Sequence, residues 1–571
     1  TNTFQSIKKL LGYTKDEDMR PITRTVNGVR HERKLLGEDL AHLVVKGLCN
    51  HFKDYITTDP AAIKNGGRDA FYGGAYAPGK PFRPSRAIVA VPNNYTMVKV
   101  QAMVNTIKRT RLFSEVHYIY ESEGTLMTYL QHNWARLHEI TDRLFVVFDM
   151  GGATINATAF RLKVTLGNNG NIKDVEVRTV SKVGFCVGGD DIDFALIKLT
   201  LAATGLFDGA DKDEADKQEK AFMRAHKREL LDMAFRLKLG IIDIHNNPNN
   251  PAADNVMSSN NALWSYISSK FADMGTALDD NKRKEALAHF DNERKTHTTL
   301  KHHVLDKVAE AVAELINGLD EDVKNCPVEL ILSGRSTLYP DVKESVIDEI
   351  NRSGKYHCER EWDGFNDANG ELDADKVKTC VANGACWYAM FSKFITMRHD
   401  IVTSTFGYLD IISNRTRFVP LIERNSQFDE NGTCRPDRKL KPSEDLSYVE
   451  FLQLFGSNYD EIINKDIKYK KTVLAKVMPQ EITSRINAIS IEVDNKDNFS
   501  YAIDIAGLPE PLTGNSTAQN ADINDENSEA YVFATLQPDS DKKPAESNNQ
   551  PTTSNAANTA TQPIKSKWRR I

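Results

Sequence analysis

The chain has 571 residues, 27% of them charged and 40% hydrophobic, and its 73 Lys+Arg against 79 Asp+Glu leave a net charge of -6. That length is too great for one core, so several domains are expected, and no global basic field points to nucleic acid as a partner. No apolar run approaches the ~20 residues of a membrane span and no signal-peptide pattern opens the chain, so neither a membrane nor secretion is expected. The seven cysteines are scattered without a Cys-x-x-Cys pair, which suits reduced thiols in a cytoplasmic protein better than a disulfide frame or a zinc cage.

In chain order, apolar residues at Leu40, Leu43, Val44, Leu48, Phe52 and Tyr55 predict a helix with one buried face. Residues 59–85 are rich in Gly and Pro and read as a long loop or small insertion. Ala87–Pro92 is a short apolar run suited to a buried parallel strand, and Met97, Val100, Val104 and Ile107 mark the helix after it. Val116–Tyr120 is strand-like, Gly124–Leu137 helical, and Leu144–Phe148 a third apolar strand. Strand and helix alternate, which predicts an α/β fold.

Beyond Gly151-Gly152, Ala159–Leu166 and Val175–Val180 read as a hairpin around the turn at 167–171. Residues 190–240 are helical and charged, and 245–255 form a loop. Val304–Leu315 is an amphipathic helix, Val328–Leu332 an apolar strand, Asp341–Arg352 a helix, and Val377–Thr396 a small-residue helix whose Cys380 and Cys386 read as core. From about residue 400 the character is β: 401–412, 416–422, 446–454, 467–477 and 489–504. Residues 399–508 therefore form a smaller β-rich domain. Residues 509–571, poor in aromatics and rich in Asn, Ser, Thr, Gln and Pro, read as a disordered tail with a basic tip.

The sharpest chemical feature is Phe148-Asp149-Met150-Gly151-Gly152-Ala153-Thr154, a strand that ends in Asp and turns on two glycines. Glycines let a phosphate approach backbone N–H groups. An Asp at the strand end suits hydrated Mg²⁺, which keeps most of its waters and takes few carboxylates. A second glycine turn follows at Gly184–Asp193, and a third at Ser333-Gly334-Arg335-Ser336-Thr337. Taken alone, each is also what an ordinary tight turn looks like. Together they describe two lobes closing on a nucleotide.

The order of these motifs resembles the heat-shock protein 70 (DnaK-type) branch of the actin-like, ribonuclease H-like ATPase superfamily, over residues 4–398. The family's catalytic-lysine segment, Ile-Lys-Arg-Leu-Ile-Gly, is similar to Ile7-Lys8-Lys9-Leu10-Leu11-Gly12. Its strand Ala-Val-Ile-Thr-Val-Pro resembles Ala87–Pro92, and its Asn-Glu-Pro-Thr-Ala-Ala resembles Tyr120–Thr125. Its second phosphate motif, Asp-Leu-Gly-Gly-Gly-Thr, falls on Asp149–Thr154, its Leu-Gly-Gly-Glu-Asp-Phe-Asp turn on Val187–Asp193, and its adenosine motif on Ser333–Pro340.

The resemblance implies a two-lobed actin-like ATPase domain over 1–398, its second lobe at about 160–375, that binds Mg²⁺-ATP or ADP. Lys8, Glu121, Asp149 and Thr154 would be catalytic, and Asp149 and Glu121 would order the hydrated metal. Gly151, Gly152, Gly188, Gly189 and Asp190 would cradle phosphates. Gly334, Arg335 and Ser336, with Arg236 and Lys238 on a second-lobe helix, would border the adenosine. A molecular chaperone acting on protein or peptide clients with co-chaperones is implied, and residues 399–508 resemble a substrate-binding β-domain only faintly.

Several positions depart from the family. Its first phosphate loop, several dozen residues ahead of the lysine, has no counterpart, so either the N-terminus is truncated, the reading preferred here, or the site is degenerate. Asn156 stands in place of the motif's second Asp, Arg335 in place of a glycine, and Val100 in place of a relay Arg. Two alternatives stand beside the ATPase-chaperone reading: a filament-forming actin-like ATPase, and a non-hydrolysing pseudo-ATPase that holds a partner.

Overall fold

The computed structural model describes residues 20–26, 29–58, 86–203 except 96, 212–246, parts of 262–281, and 304–515 apart from short internal stretches. Lys8, the 59–85 segment, most of 247–303 and the tail beyond 515 lie outside the described residues.

The first described element is an antiparallel hairpin, β1 (Arg20–Val26) and β2 (Val29–Leu35), followed by helix α1 (Gly37–Thr58). Next come β3 (Arg86–Val91), α2 (Met97–Lys108) and β4 (Glu115–Tyr120), a βαβ unit whose strands pair in parallel. Helix α3 (Glu121–Asn133) leads to the meander β5 (Leu144–Met150), β6 (Ile155–Leu166) and β7 (Ile172–Phe185). Helices α4 (Gly189–Ala203), α5 (Lys212–Ala225), α6 (Lys227–Asn246) and α7 (Asp306–Asn317) follow. The α/β part closes with β8 (Pro327–Ser333), α8 (Val342–Arg352), β9 (His357–Glu361), α9 (Ala374–Phe391) and β10 (Ile395–His399).

The six strands of the main sheet lie in the order β10-β7-β6-β5-β8-β9. Neighbours β5, β6 and β7 are antiparallel, while β8 pairs in parallel with β5 and β9 with β8. All of Leu144–Met150 is buried, as expected of a central strand covered on both faces. That strand carries Asp149 to the sheet's edge, so the polar end of the most buried strand is where the site begins.

Beyond β10 the chain forms two four-stranded antiparallel sheets. One contains β11 (Thr405–Ile412), β12 (Arg415–Ile422), β14 (Val449–Leu454) and β15 (Lys471–Val477); the other contains β13 (Thr433–Cys434), β16 (Ile486–Asp494), β17 (Phe499–Ile505) and β18 (Leu512–Asn515). A short helix, α10 (Tyr459–Asn464), joins β14 to β15. Phe406 and Phe451 of the first sheet meet Phe499 of the second at ring-centre distances of 6.3 and 5.5 Å, so the sheets share one core.

The sandwich is fastened to the α/β part by buried charges. The Arg424 guanidinium donates to Ser181 Oγ on β7 at 2.7 Å and lies 3.8 Å from Glu314 on α7. Lys470 pairs with Glu310, and with Glu314 at 3.4 Å.

Several expectations change. The helix read over Val377–Thr396 ends at Phe391, with Ile395 and Thr396 already in β10, and the strand at Ala87–Val91 is mostly half-buried. The helix predicted from Leu40 forms, but Val44 and Leu48 are exposed, because α1 meets α2 through its Leu40–His42 end. The strand expected at 489–504 is two strands, β16 and β17, paired antiparallel. The disorder expected from 509 does not hold for Leu512–Asn515, which add an edge strand to β17. Cys380 is buried as expected, whereas Cys386 is exposed. Among the described residues no helix is long and apolar enough to cross a membrane.

Candidate active site

A cleft of about 700 Å³ opens between β3, α9 and the end of β5. Its polar end is formed by Glu121, Asp149, the turn Gly151–Thr154 and Asp190, and its apolar wall by Ile88, Ala90 and the small-residue face of α9. Three segments far apart in sequence converge there: the first turn of α3, the β5–β6 turn and the start of α4.

The two carboxylates at its base are 5% and 8% exposed (Asp149 and Glu121), a degree of burial that ionised groups tolerate only with hydrogen-bond partners. Asn156, fully buried on β6, supplies them: its Nδ2 donates to Glu121 Oε2 at 2.8 Å and to Asp149 Oδ2 at 3.3 Å. Its Oδ1 accepts the Asn93 backbone N–H at 2.8 Å, which fixes the amide's orientation. The Ser333 hydroxyl at the end of β8 donates to Asp149 Oδ1 at 2.9 Å. Cys380 lies beside this cluster with its thiol pushed up to about 12 by burial and by Asp149, so it stays protonated and acts as packing.

The β5–β6 turn is locked from behind. Gly151 N–H donates to Thr154 O at 3.0 Å, while Gly151 O accepts from Gly189 N–H and from the Ser336 hydroxyl, each at 2.9 Å. Asp190 N–H donates to Gly152 O at 2.7 Å. The amides of Gly152 and Ala153, two residues that line the cleft, take no part in these bonds, and the Ala153 nitrogen faces Gly188.

The glycines divide by what a Cβ would meet. At Gly151 and Gly152 the nearest atoms would be 3.9 and 3.5 Å away, so protein packing leaves both positions open and the missing side chains enlarge the cleft. At Gly188 a Cβ would come within 2.7 Å of Ala153 N, at Gly189 it would strike the Ser336 hydroxyl, and at Gly334, where φ is +81°, the Met150 carbonyl. Those three glycines permit close approach of the turns to one another.

Of the sequence-predicted residues, Glu121, Asp149, Gly151, Gly152, Thr154, Asp190, Gly334 and Arg335 line the cleft. Gly188, Gly189 and Ser336 do not; they stand behind the Gly151–Thr154 turn and hold it in place. Arg335 is at the mouth, tied by its Nη2 to Asp375 at 2.7 Å. Arg236, expected at the adenosine, is exposed and pairs with Asp232 one helical turn away at 2.8 Å, outside the cleft. Lys238 is buried instead, 2.8 Å from Asp193 and donating to Gly189 O at 2.9 Å. Burial pushes the Asp193 carboxyl up to about 6 even with that ammonium beside it. Lys8 lies outside the described residues.

Sequence reasoning missed Ser333 as the partner of Asp149 and Arg86 at the cleft's far end. Ser333 had a usable signal: it ends a buried apolar strand beside the strand that ends in Asp149. Among the described residues no three His, Cys, Asp or Glu side chains gather to hold a metal directly. Glu121 and Asp149 form a two-carboxylate oxygen set, which fits a cation that keeps most of its waters. Compared with models of protein families and with curated proteins, the chain matches none.

Proposed function

We propose that the chain is a Mg²⁺-ATP-binding protein of the heat-shock-70-like, actin-type ATPase class, with two lobes closing on the cleft at Asp149–Thr154. The observation that carries this reading is the pair Gly151-Gly152, open to the cleft and flanked by Asp149, Glu121 and Thr154. The main sheet supports it: an antiparallel meander, β5 to β7, flanked by parallel β8 and β9 is the order expected of a ribonuclease H-like lobe.

In this reading the Gly152 amide receives a phosphate oxygen, and Thr154 adds its hydroxyl. Asp149 and Glu121 hold the metal's waters, their orientation fixed by Asn156 and Ser333. Mg²⁺ when bound neutralises phosphate charge. The α9 wall and Ile88 exclude water from one side of the cleft. The β-sandwich, docked on β7 and α7, is proposed to engage protein or peptide clients, and the free thiols of all seven cysteines suit a cytosolic compartment.

Hydrolysis beyond binding rests on Lys8. A single-turnover assay with γ-labelled ATP and Mg²⁺ tests it: slow phosphate release, lost in Lys8→Ala, is expected. ATP that stays bound and uncleaved would favour the non-hydrolysing module, and nucleotide-dependent pelleting would favour the filament former.

A further inference from the structure

The contacts that hold the Gly151–Thr154 turn from behind lead back to a buried ion pair. Gly151 O accepts the Gly189 N–H and the Ser336 hydroxyl. In a trans peptide the N–H points opposite to the C=O, so these two donors fix the Gly152 N–H facing away from them. Gly152 O accepts the Asp190 N–H at 2.7 Å. That N–H belongs to the same peptide group as Gly189 O, which accepts from the Lys238 ammonium at 2.9 Å. A donor on a peptide carbonyl polarises the N–H of the same group, so the charge on Lys238 strengthens the bond from Asp190 N–H to the turn.

Lys238 of α6 and Asp193 of α4 are 7% and 6% exposed, with Nζ and Oδ1 2.8 Å apart. Neither lines the cleft. Burial pushes the Asp193 carboxyl up to about 6 against the pull of Lys238, and Asp190 and Asp191 of its own helix add to the push. A carboxyl raised above its ordinary 3.8 contributes stability at low pH that is lost as pH rises through about 6. At neutral pH the ionised Asp193 is therefore kept at a cost to folding, and stability does not account for the pair.

We infer that Lys238 and Asp193 are positioning residues for the phosphate turn and make it respond to pH: ionised Asp193 holds the Lys238 ammonium on Gly189 O, and its protonation loosens that ammonium and the turn with it. The effect on the turn stands on the contacts themselves; the effect on nucleotide affinity rests on the function proposed above.

Glycine-selective ¹⁵N NMR and calorimetric titration with Mg²⁺-ATP between pH 5 and pH 8 test it, on the full chain, on Asp193→Asn and on Asp193→Asn/Lys238→Met. The Gly152 amide signal, identified by its loss in Gly152→Ala, is expected to shift with a midpoint at about pH 6 in the parent. Both variants should lose that step. At pH 7.5 the parent is expected to bind ATP at least five-fold more tightly than either variant, and at pH 5 the parent and Asp193→Asn should converge. Comparing proteins at one pH cancels the titration of the nucleotide itself. The double variant buries no unpaired charge and is expected to melt no lower than the parent at pH 7.5, so its weaker binding separates positioning from folding. A Gly152 signal that titrates alike in parent and variants, or equal affinities at pH 7.5, would overturn the inference. If the parent binds no ATP, the nucleotide reading falls and the Gly152 titration alone decides. Should Asp193→Asn fail to fold, the double variant takes its place.

Discussion

Asn156 and Glu121 are joined by a 2.8 Å hydrogen bond in which a neutral amide serves a buried carboxylate, and the same amide reaches Asp149. A carboxylate at 156 would keep the bond from Asn93 N–H but remove the donor between two acids. Asn156→Asp is therefore expected to lower stability by about 2–4 kcal/mol, a charged-group hydrogen bond plus like-charge repulsion. Millimolar Mg²⁺ should restore part of the loss. Urea denaturation with and without Mg²⁺ measures both; a variant as stable as the parent in the absence of metal would contradict the arrangement.

The glycine contrast separates ligand space from packing space. Gly152→Ala is expected to melt like the parent, because its Cβ would meet nothing closer than 3.5 Å. Gly188→Ala places its Cβ 2.7 Å from backbone atoms and should cost about 1–3 kcal/mol as overpacking. Gly334→Ala adds the strain of a positive φ to a clash with the Met150 carbonyl and should be at least as damaging. Thermal melting of the three variants gives the ranking directly.

His42 makes the α1–α2 contact sensitive to acid. Its ring is buried, with Nδ1 facing the Thr106 carbonyl and Nε2 without a hydrogen-bond partner among the described residues. Burial, and next the Arg109 charge, hold its pKa below the ordinary 6.5; Lys46 pulls the same way, while the Thr106 carbonyl and Asp39 oppose. A depressed pKa means that the folded state prefers the neutral ring. The stabilisation is full above about pH 6.5 and is lost as pH falls through the folded-state value. The protection of α1 amides against hydrogen exchange, corrected for the intrinsic pH dependence of exchange, is expected to fall below pH 6.5 in the parent, and His42→Gln should flatten that dependence.

Arg424 is the pin between sandwich and sheet. Burial lowers its guanidinium to about 10 against the pull of Glu314. Arg424→Met leaves Glu314 buried beside Lys470 alone, and breaking such a cluster costs about 3–5 kcal/mol. The double variant Arg424→Met/Glu314→Leu should recover much of that loss, since no unpaired charge remains. Unfolding in urea is expected to split into two transitions in the single variant, and sandwich release can be followed by limited proteolysis in the 399–404 connection.

Apolar runs were legible: Leu144–Phe148 and Val328–Leu332 are buried throughout, as burial on both faces demands, while Ala87–Val91 forms a strand that is mostly half-buried. The glycine turns were equally legible, and eight of the named residues converge on one cleft. What sequence did not reveal is set by tertiary partners. Gly188 and Gly152 look alike in a motif, yet only the neighbours of each decide whether it serves a ligand or a backbone crossing. Arg236 and Lys238 are two residues apart on a helix and so lie on opposite faces; the packing of α6, not the motif, decides that Lys238 is the one that points inward. Val44 and Leu48 share the periodicity of a buried stripe, but no described element covers them.

In the proposed function a nucleotide's phosphates lie against the Gly151–Thr154 turn. Titration calorimetry of ATP into the full chain and into Gly152→Ala, each in Mg²⁺ and in chelator, tests it most directly. Mg²⁺-dependent binding is expected, weakened ten-fold or more by one added methyl group in a variant that still folds. Absence of ATP binding, or equal affinity in the parent and Gly152→Ala, would contradict it.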